Sequence, residues 1–140
     1  MNTLFARSRN RDFLNACRRR ITDLTAEGHQ PTTIQQIYAV GDHILTKPAP
    51  AYYVDYYRAC HILSKALTAG QPPKATYQSG QVWVDMYRDL CEAIQLYPTR
   101  PTRDLIFALC AGELGHPRFY ITPRTAHKII YSNLYKIFSL

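Results

Sequence analysis

A short turn occurs twice in this chain, and it constrains the fold more than any other feature. Pro50-Ala51-Tyr52-Tyr53-Val54-Asp55 recurs as Pro117-Arg118-Phe119-Tyr120-Ile121-Thr122. Extended over fourteen residues, the copies share Pro50/Pro117, Tyr53/Tyr120, Ala59/Ala126 and Ile62/Ile129, with conservative matches at Tyr52/Phe119, Val54/Ile121 and Leu63/Ile130. Proline disfavours helix in the residue before it and lacks a backbone donor, so each copy ends the preceding helix. The two aromatics and the aliphatic residue act as a staple into the core. Asp55 or Thr122 then offers a capping oxygen that restarts the chain as helix. The small Ala59 and Ala126, four residues after each cap, permit a close helix contact. Upstream, Pro31-Thr32 and Pro101-Thr102 each introduce the helix that leads into the turn.

Apolar spacing around these turns predicts an all-α chain of about six helices. The first runs from about Asp12 to Ala26. The second follows Thr32 or Thr33 as cap and ends before Pro48. The third runs from Asp55 to Gly70. The fourth spans about Gln81 to Leu96, the fifth Thr102 to Leu114, and the sixth starts at Thr122-Pro123 and continues through Phe138. Tyr52-Tyr53-Val54 and the segment from His116 to Ile121 read as short extended links. The expected organisation is one compact domain, 1–140, with related three-helix halves of about 1–70 and 71–140 divided by the linker-like 71–80. No apolar run approaches the roughly 20 residues of a membrane span. The start has no apolar core of a secretory signal, and a cytoplasmic location is expected. Cys17, Cys60, Cys91 and Cys110 sit inside apolar helical patterns without CxxC spacing, as reduced thiols of such a protein do.

The net charge of +7 is uneven. Residues 1–20 hold six arginines against Asp12, and residues 100–140 hold six bases against Asp104 and Glu113. The middle of the chain has more acids than bases. Concentrated positive charge attracts polyanions; a solvated face is the other use of such a surface.

The Pro-x-[Phe/Tyr]-Tyr-[Val/Ile]-cap-x-x-x-Ala pattern resembles a motif in small uncharacterised helical proteins of gut anaerobes and their phages, over about fifteen residues per copy. That resemblance implies no activity. Thr102 to Gly112, followed by Ile121-Thr122-Pro123-Arg124-Thr125, resembles the helix-turn-helix of response-regulator DNA-binding domains, whose second helix enters the major groove. The resemblance implies that Arg124, Thr125 and Lys128 meet DNA. It departs from the family between Glu113 and Tyr120, where Pro117 leaves no room for a scaffold helix of normal length. Otherwise Arg124 and Lys128 form a solvated i, i+4 face.

Signatures of catalysis are absent from the sequence: it has no Gly-rich phosphate loop, GxSxG elbow or HExxH. His29, His43, His61, His116 and His127 are scattered and lack zinc spacing. Asp85, Asp89 and Glu92 share a helical face, which suits a hard cation or ion pairs with Arg18, Arg19 and Arg20. No cofactor or metal is expected, and the chain reads as a non-enzyme. The expected function is nucleic-acid binding through phosphate contacts, DNA or RNA without strong sequence preference, by Arg7, Arg9, Arg11, Arg18, Arg19, Arg118, Arg124 and Lys128. The alternative is a structural or interaction protein of phage or mobile-element type, forming a homo-oligomer or binding a protein partner. Its surface would come from Tyr52, Tyr53, Tyr56 and Tyr57, in a chain where Tyr38 and Tyr77 add to the tyrosine density.

Overall fold

The computed structural model describes residues 3–74 and 78–138; Tyr77 and the middle of the 71–80 linker lie outside them. Every regular element among the described residues is a helix: α1 (Thr3–Ala26), α2 (Ile34–Leu45), α3 (Tyr56–Ala69), α4 (Gln78–Leu96), α5 (Thr102–Cys110), α6 (Pro123–Ser132) and α7 (Leu134–Phe138). The caps follow the sequence chemistry. Thr33 accepts from the Gln36 amide while the Gln36 side chain reaches back, forming a capping box. Asp55 accepts from the Arg58 amide, and Thr122 from the Thr125 amide with Pro123 in the first turn.

Four helix bounds differ from the sequence reading, the smallest shift being α4, which begins at Gln78 instead of about Gln81. The first helix begins at Thr3 instead of Asp12, because the arginine-rich start contains good helix formers and no breaker. Helix α5 ends at Cys110 instead of Leu114. Gly112 has φ +78°, and a Cβ there would lie 1.9 Å from the Pro50 carbonyl oxygen, so the chain leaves the helix to pass the first turn. The expected last helix breaks at Asn133 (φ −129°, ψ 25°), whose side chain donates to the Ile129 carbonyl.

The two turns share one local geometry. Tyr53 and Tyr120 are the described non-glycine residues with positive φ, at 58° and 53°, so neither link is simply extended. A bulky residue in the left-handed region is strained by roughly 1–3 kcal/mol. The strain is offset by reciprocal stacking: Tyr52 lies on Tyr120 with centroids 6.1 Å apart, and Tyr53 on Phe119 at 6.4 Å. Each copy therefore gives one ring to the other copy's partner, and the Ala49 amide donates to the Pro117 carbonyl at 2.8 Å. Ala59 and Ala126 are both fully buried.

The chain divides into two compact units. The first comprises 48–120 with the opening turn of α1 at 3–6; in it α3, α4 and α5 pack on one another. Leu63, Met86, Leu90, Leu105 and Leu109 fill its core with no exposed surface. The second comprises 7–47 and 121–138, where α2 packs on α6 and α6 meets α7. Phe13, Cys17, Ile37, Ala126, Ile130 and Ile137 are its buried residues nearest complete exclusion from solvent. The first unit thus takes α3 from the first sequence half and α4 and α5 from the second, while the second unit takes α1 and α2 from the first half and α6 and α7 from the second.

Gly41 sits where α2 meets α6: a Cβ there would lie 2.5 Å from Ile130 Cδ1 and 3.4 Å from Phe13 Cζ. Gly41→Ala is expected to destabilise the protein by about 1–3 kcal/mol through overpacking, although alanine is the better helix former. Adding Ile130→Val, which removes the clashing methyl, should recover part of that loss. Denaturant midpoints of the two variants check this; a stabilised Gly41→Ala would contradict the contact.

Candidate nucleic-acid interface

The positive charge is segregated by unit. The second unit holds ten Lys and Arg in all against Asp12, Asp23, Glu27 and Asp42, whereas the first holds seven against six acids. Two grooves in the second unit gather much of this charge.

The first groove, about 420 Å³, lies along α1. Arg7, Arg11, Leu14 and Arg18 follow one another at i, i+4, i+7 and i+11, a single helical stripe. Leu14, 8% exposed, anchors that stripe to the unit's interior, and the arginines rise around it. The opposite wall comes from Asn133 and Lys136 at the α6–α7 joint. Sequence spacing does not point to Lys136; the helix breaks at Asn133, and Lys136 of α7 lines the same groove as the α1 stripe. Asn10 and Asn15 add amide groups beside the guanidinium groups, a donor-rich lining of the type that phosphate oxygens accept from. The Arg11 pair with Asp12, 3.5 Å long and with the Arg11 side chain 67% exposed, is weak and leaves most of the guanidinium's donors to solvent.

The second groove, about 440 Å³, is lined by Arg124, Lys128 and Tyr131 of α6 with Tyr38 of α2. One wall is pinned: the His127 ring stacks on Tyr38 with centroids 4.4 Å apart and planes 9° apart, and His127 Nε2 lies 2.8 Å from Asp42 Oδ1.

The remaining sequence candidates fall elsewhere. Arg9 and Arg19 belong to α1 but line neither groove; burial of Arg9 lowers its pKa. Arg118 is exposed in the loop of the first unit. Residues 111–122 contain no helix, so the scaffold helix of the response-regulator motif is missing, and Thr125 is engaged in the α6 cap through Thr122 Oγ1. Of the four tyrosines expected to make a surface, Tyr52 and Tyr53 are buried, at 2% and 6% exposure, and serve the core. Tyr57 is 79% exposed and packs edge-on against Tyr56, which in turn meets Phe107.

The acidic face of α4 is taken up by protein donors. Asp89, the buried charged residue among the described residues, accepts from the Tyr52 hydroxyl and, at 2.8 Å, from the His116 amide, with His116 Nδ1 at 3.2 Å from its other oxygen. Burial pushes its carboxyl pKa up, but the Tyr52 hydroxyl and the His116 amide and ring more than reverse that, leaving it below the ordinary value. Asp85 accepts from the Tyr120 hydroxyl at 2.6 Å and pairs with Arg88 at 3.5 Å. Burial, and hydrogen bonding to these carboxylates, raise the pKa of both tyrosines. Glu92 lies near Asp89 and His116, yet the Asp89 oxygens are already committed. Burial likewise raises the Cys17 thiol to about 12 and Cys110 to about 11, so neither is a thiolate nucleophile at neutral pH. This network ties both turns to α4 and acts as scaffold.

No protein-family model, curated protein or solved structure matches the chain. No helix among the described residues is long and apolar enough to cross a membrane.

Proposed function

We propose that the protein is a non-enzymatic nucleic-acid-binding protein that holds the phosphate backbone in the groove along α1. The observation that carries this reading is the stripe of Arg7, Arg11 and Arg18 facing Lys136 across one groove. Four cations at one surface, with asparagine amides between them, suit a chain of phosphates better than a single anion. Arg124 and Lys128 extend the basic surface along α6, while Arg9, Arg19 and Arg118 contribute to the general field. Binding of this kind carries little base information, so weak sequence preference follows. A cytoplasmic location, and an accessory role of the phage or mobile-element kind suggested by the turn motif, fit such a protein.

Neutralising about four phosphates releases their counterions and gives log K a slope of about −3 to −4 against log salt. Affinity for random DNA or RNA is therefore expected to fall by about 60- to 250-fold between about 50 and about 200 mM salt. Fluorescence anisotropy across a salt series measures the slope. Absence of binding at the lowest salt, or a slope near zero, would sink the proposal.

A second reading rests on the exposed Tyr57 and Phe107, at 79% and 59%, flanking Tyr56 in the first unit. Exposed aromatic clusters of this kind mark association surfaces. A discrete oligomer by light scattering, abolished by Tyr57→Ser with Phe107→Ser and free of nucleic acid, would favour that reading.

A further inference from the structure

Resting on the nucleic-acid reading above, we infer that the strand is single, and that the second groove takes an unpaired base on Tyr131. Helix α6 places Arg124, Lys128 and Tyr131 at i, i+4 and i+7, on one face lining the groove. Tyr131 is 66% exposed, so its ring is presented to solvent about one turn along α6 from Lys128. Its neighbour across the groove is occupied differently: Tyr38 is stacked on His127, and His127 is held by Asp42. One ring is built into the wall and the other is presented.

A partner that offered only phosphates would leave that presented ring unused. A duplex hides its base faces in its own stack, whereas an unpaired strand exposes them, and every base has a face on which an aromatic ring can stack. At about 1.5 Å of rise per residue, Arg124 stands about 10 Å along the helix from Tyr131. One short stretch of strand can therefore meet the ring and both cations together. Ser132 lines this groove and its chain neighbour Asn133 lines the groove of α1, so the two grooves flank one joint. The strand would be held by phosphate in one and by base in the other. The cations on both sides select a polyanion as the occupant, which sets a nucleic-acid strand apart from an apolar peptide.

The test uses the full chain and three fluorescent probes of equal length, each about 20 nucleotides so as to exceed ordinary single-strand site sizes: an oligothymidylate, an abasic strand and a duplex. The oligothymidylate is expected to bind most tightly. Tyr131→Ala should weaken it roughly tenfold while changing the abasic strand and the duplex by less than about twofold. Tyr131→Phe, which keeps the ring, should restore the affinity that alanine loses. The inference is overturned if Tyr131→Ala leaves the oligothymidylate unchanged, if it weakens all three probes alike, or if polyglutamate binds as well as the oligothymidylate. Binding of the abasic strand and duplex with no Tyr131 effect removes the base site alone. Failure of all three probes to bind removes the phosphate-binding reading as well.

Discussion

Asp89→Ala is expected to destabilise the 48–120 unit by about 3–5 kcal/mol, among the largest effects of any single substitution in the protein. The carboxylate has no exposed side-chain surface and is the acceptor for the Tyr52 hydroxyl and the His116 amide. Alanine leaves both donors without a partner, one of them on a buried ring, and each stranded group costs about 1–3 kcal/mol. It also unties the first turn from α4 and leaves the stacked Tyr52 and Tyr120 rings without one of their anchors. Tyr52→Phe in the Asp89→Ala background removes one stranded hydroxyl and should recover about 1 kcal/mol or more, the coupling expected of directly bonded partners. Urea unfolding followed by far-UV circular dichroism measures both. A loss below about 1 kcal/mol for Asp89→Ala would show that the network does not bear on stability.

The same residue sets an acid limit. Because the folded-state pKa of Asp89 is depressed, its contribution is fully present above the ordinary carboxylate value of about 3.9 and is lost as pH falls through the lower folded value. Wild type should therefore lose stability below about pH 4, and Asp89→Ala should lose less over the same interval. Parallel pH profiles for the two proteins would contradict the assignment.

Much of the local architecture was legible because it depends on residues close in sequence. Asp55, Thr122-Pro123 and Gly70 marked helix ends by capping chemistry that needs no tertiary context. The repeated turn was legible as a stop, a staple and a restart. The left-handed φ at Tyr53 and Tyr120 was not, because bulky residues avoid that region unless a distant contact holds them, and here the contact is the other copy of the turn. The Asp85–Asp89 face was visible as a cluster but not as a tyrosine acceptor, since its partners Tyr52 and Tyr120 lie 37 and 35 residues away. Tyrosine density suggested a surface where half of the set is core. Of the basic candidates, helical spacing alone brings Arg7, Arg11 and Arg18 onto one stripe. Lys136 lines the same groove from beyond the break at Asn133, which a continuous apolar pattern from Ile129 to Phe138 conceals.

Reversing two charges on that stripe, Arg7→Glu with Arg11→Glu, is expected to weaken nucleic-acid binding by about 100-fold or more at about 50 mM salt, since each lost phosphate contact is worth about tenfold there and each glutamate adds repulsion. The slope of log K against log salt should become shallower by about 1.5–2. Folding should be little changed. Both arginines are exposed, and glutamate is a good helix former. Net charge alone would also weaken binding, so the informative comparison is Arg19→Glu with Lys47→Glu. Both of these residues are exposed in the same unit and line neither groove, and the double change alters net charge by the same amount. If phosphates occupy the α1 groove, the Arg7/Arg11 pair must lose at least several times more affinity than the Arg19/Lys47 pair. Equal losses would assign binding to the diffuse field of the second unit, and no loss in either would remove the groove from the protein's function.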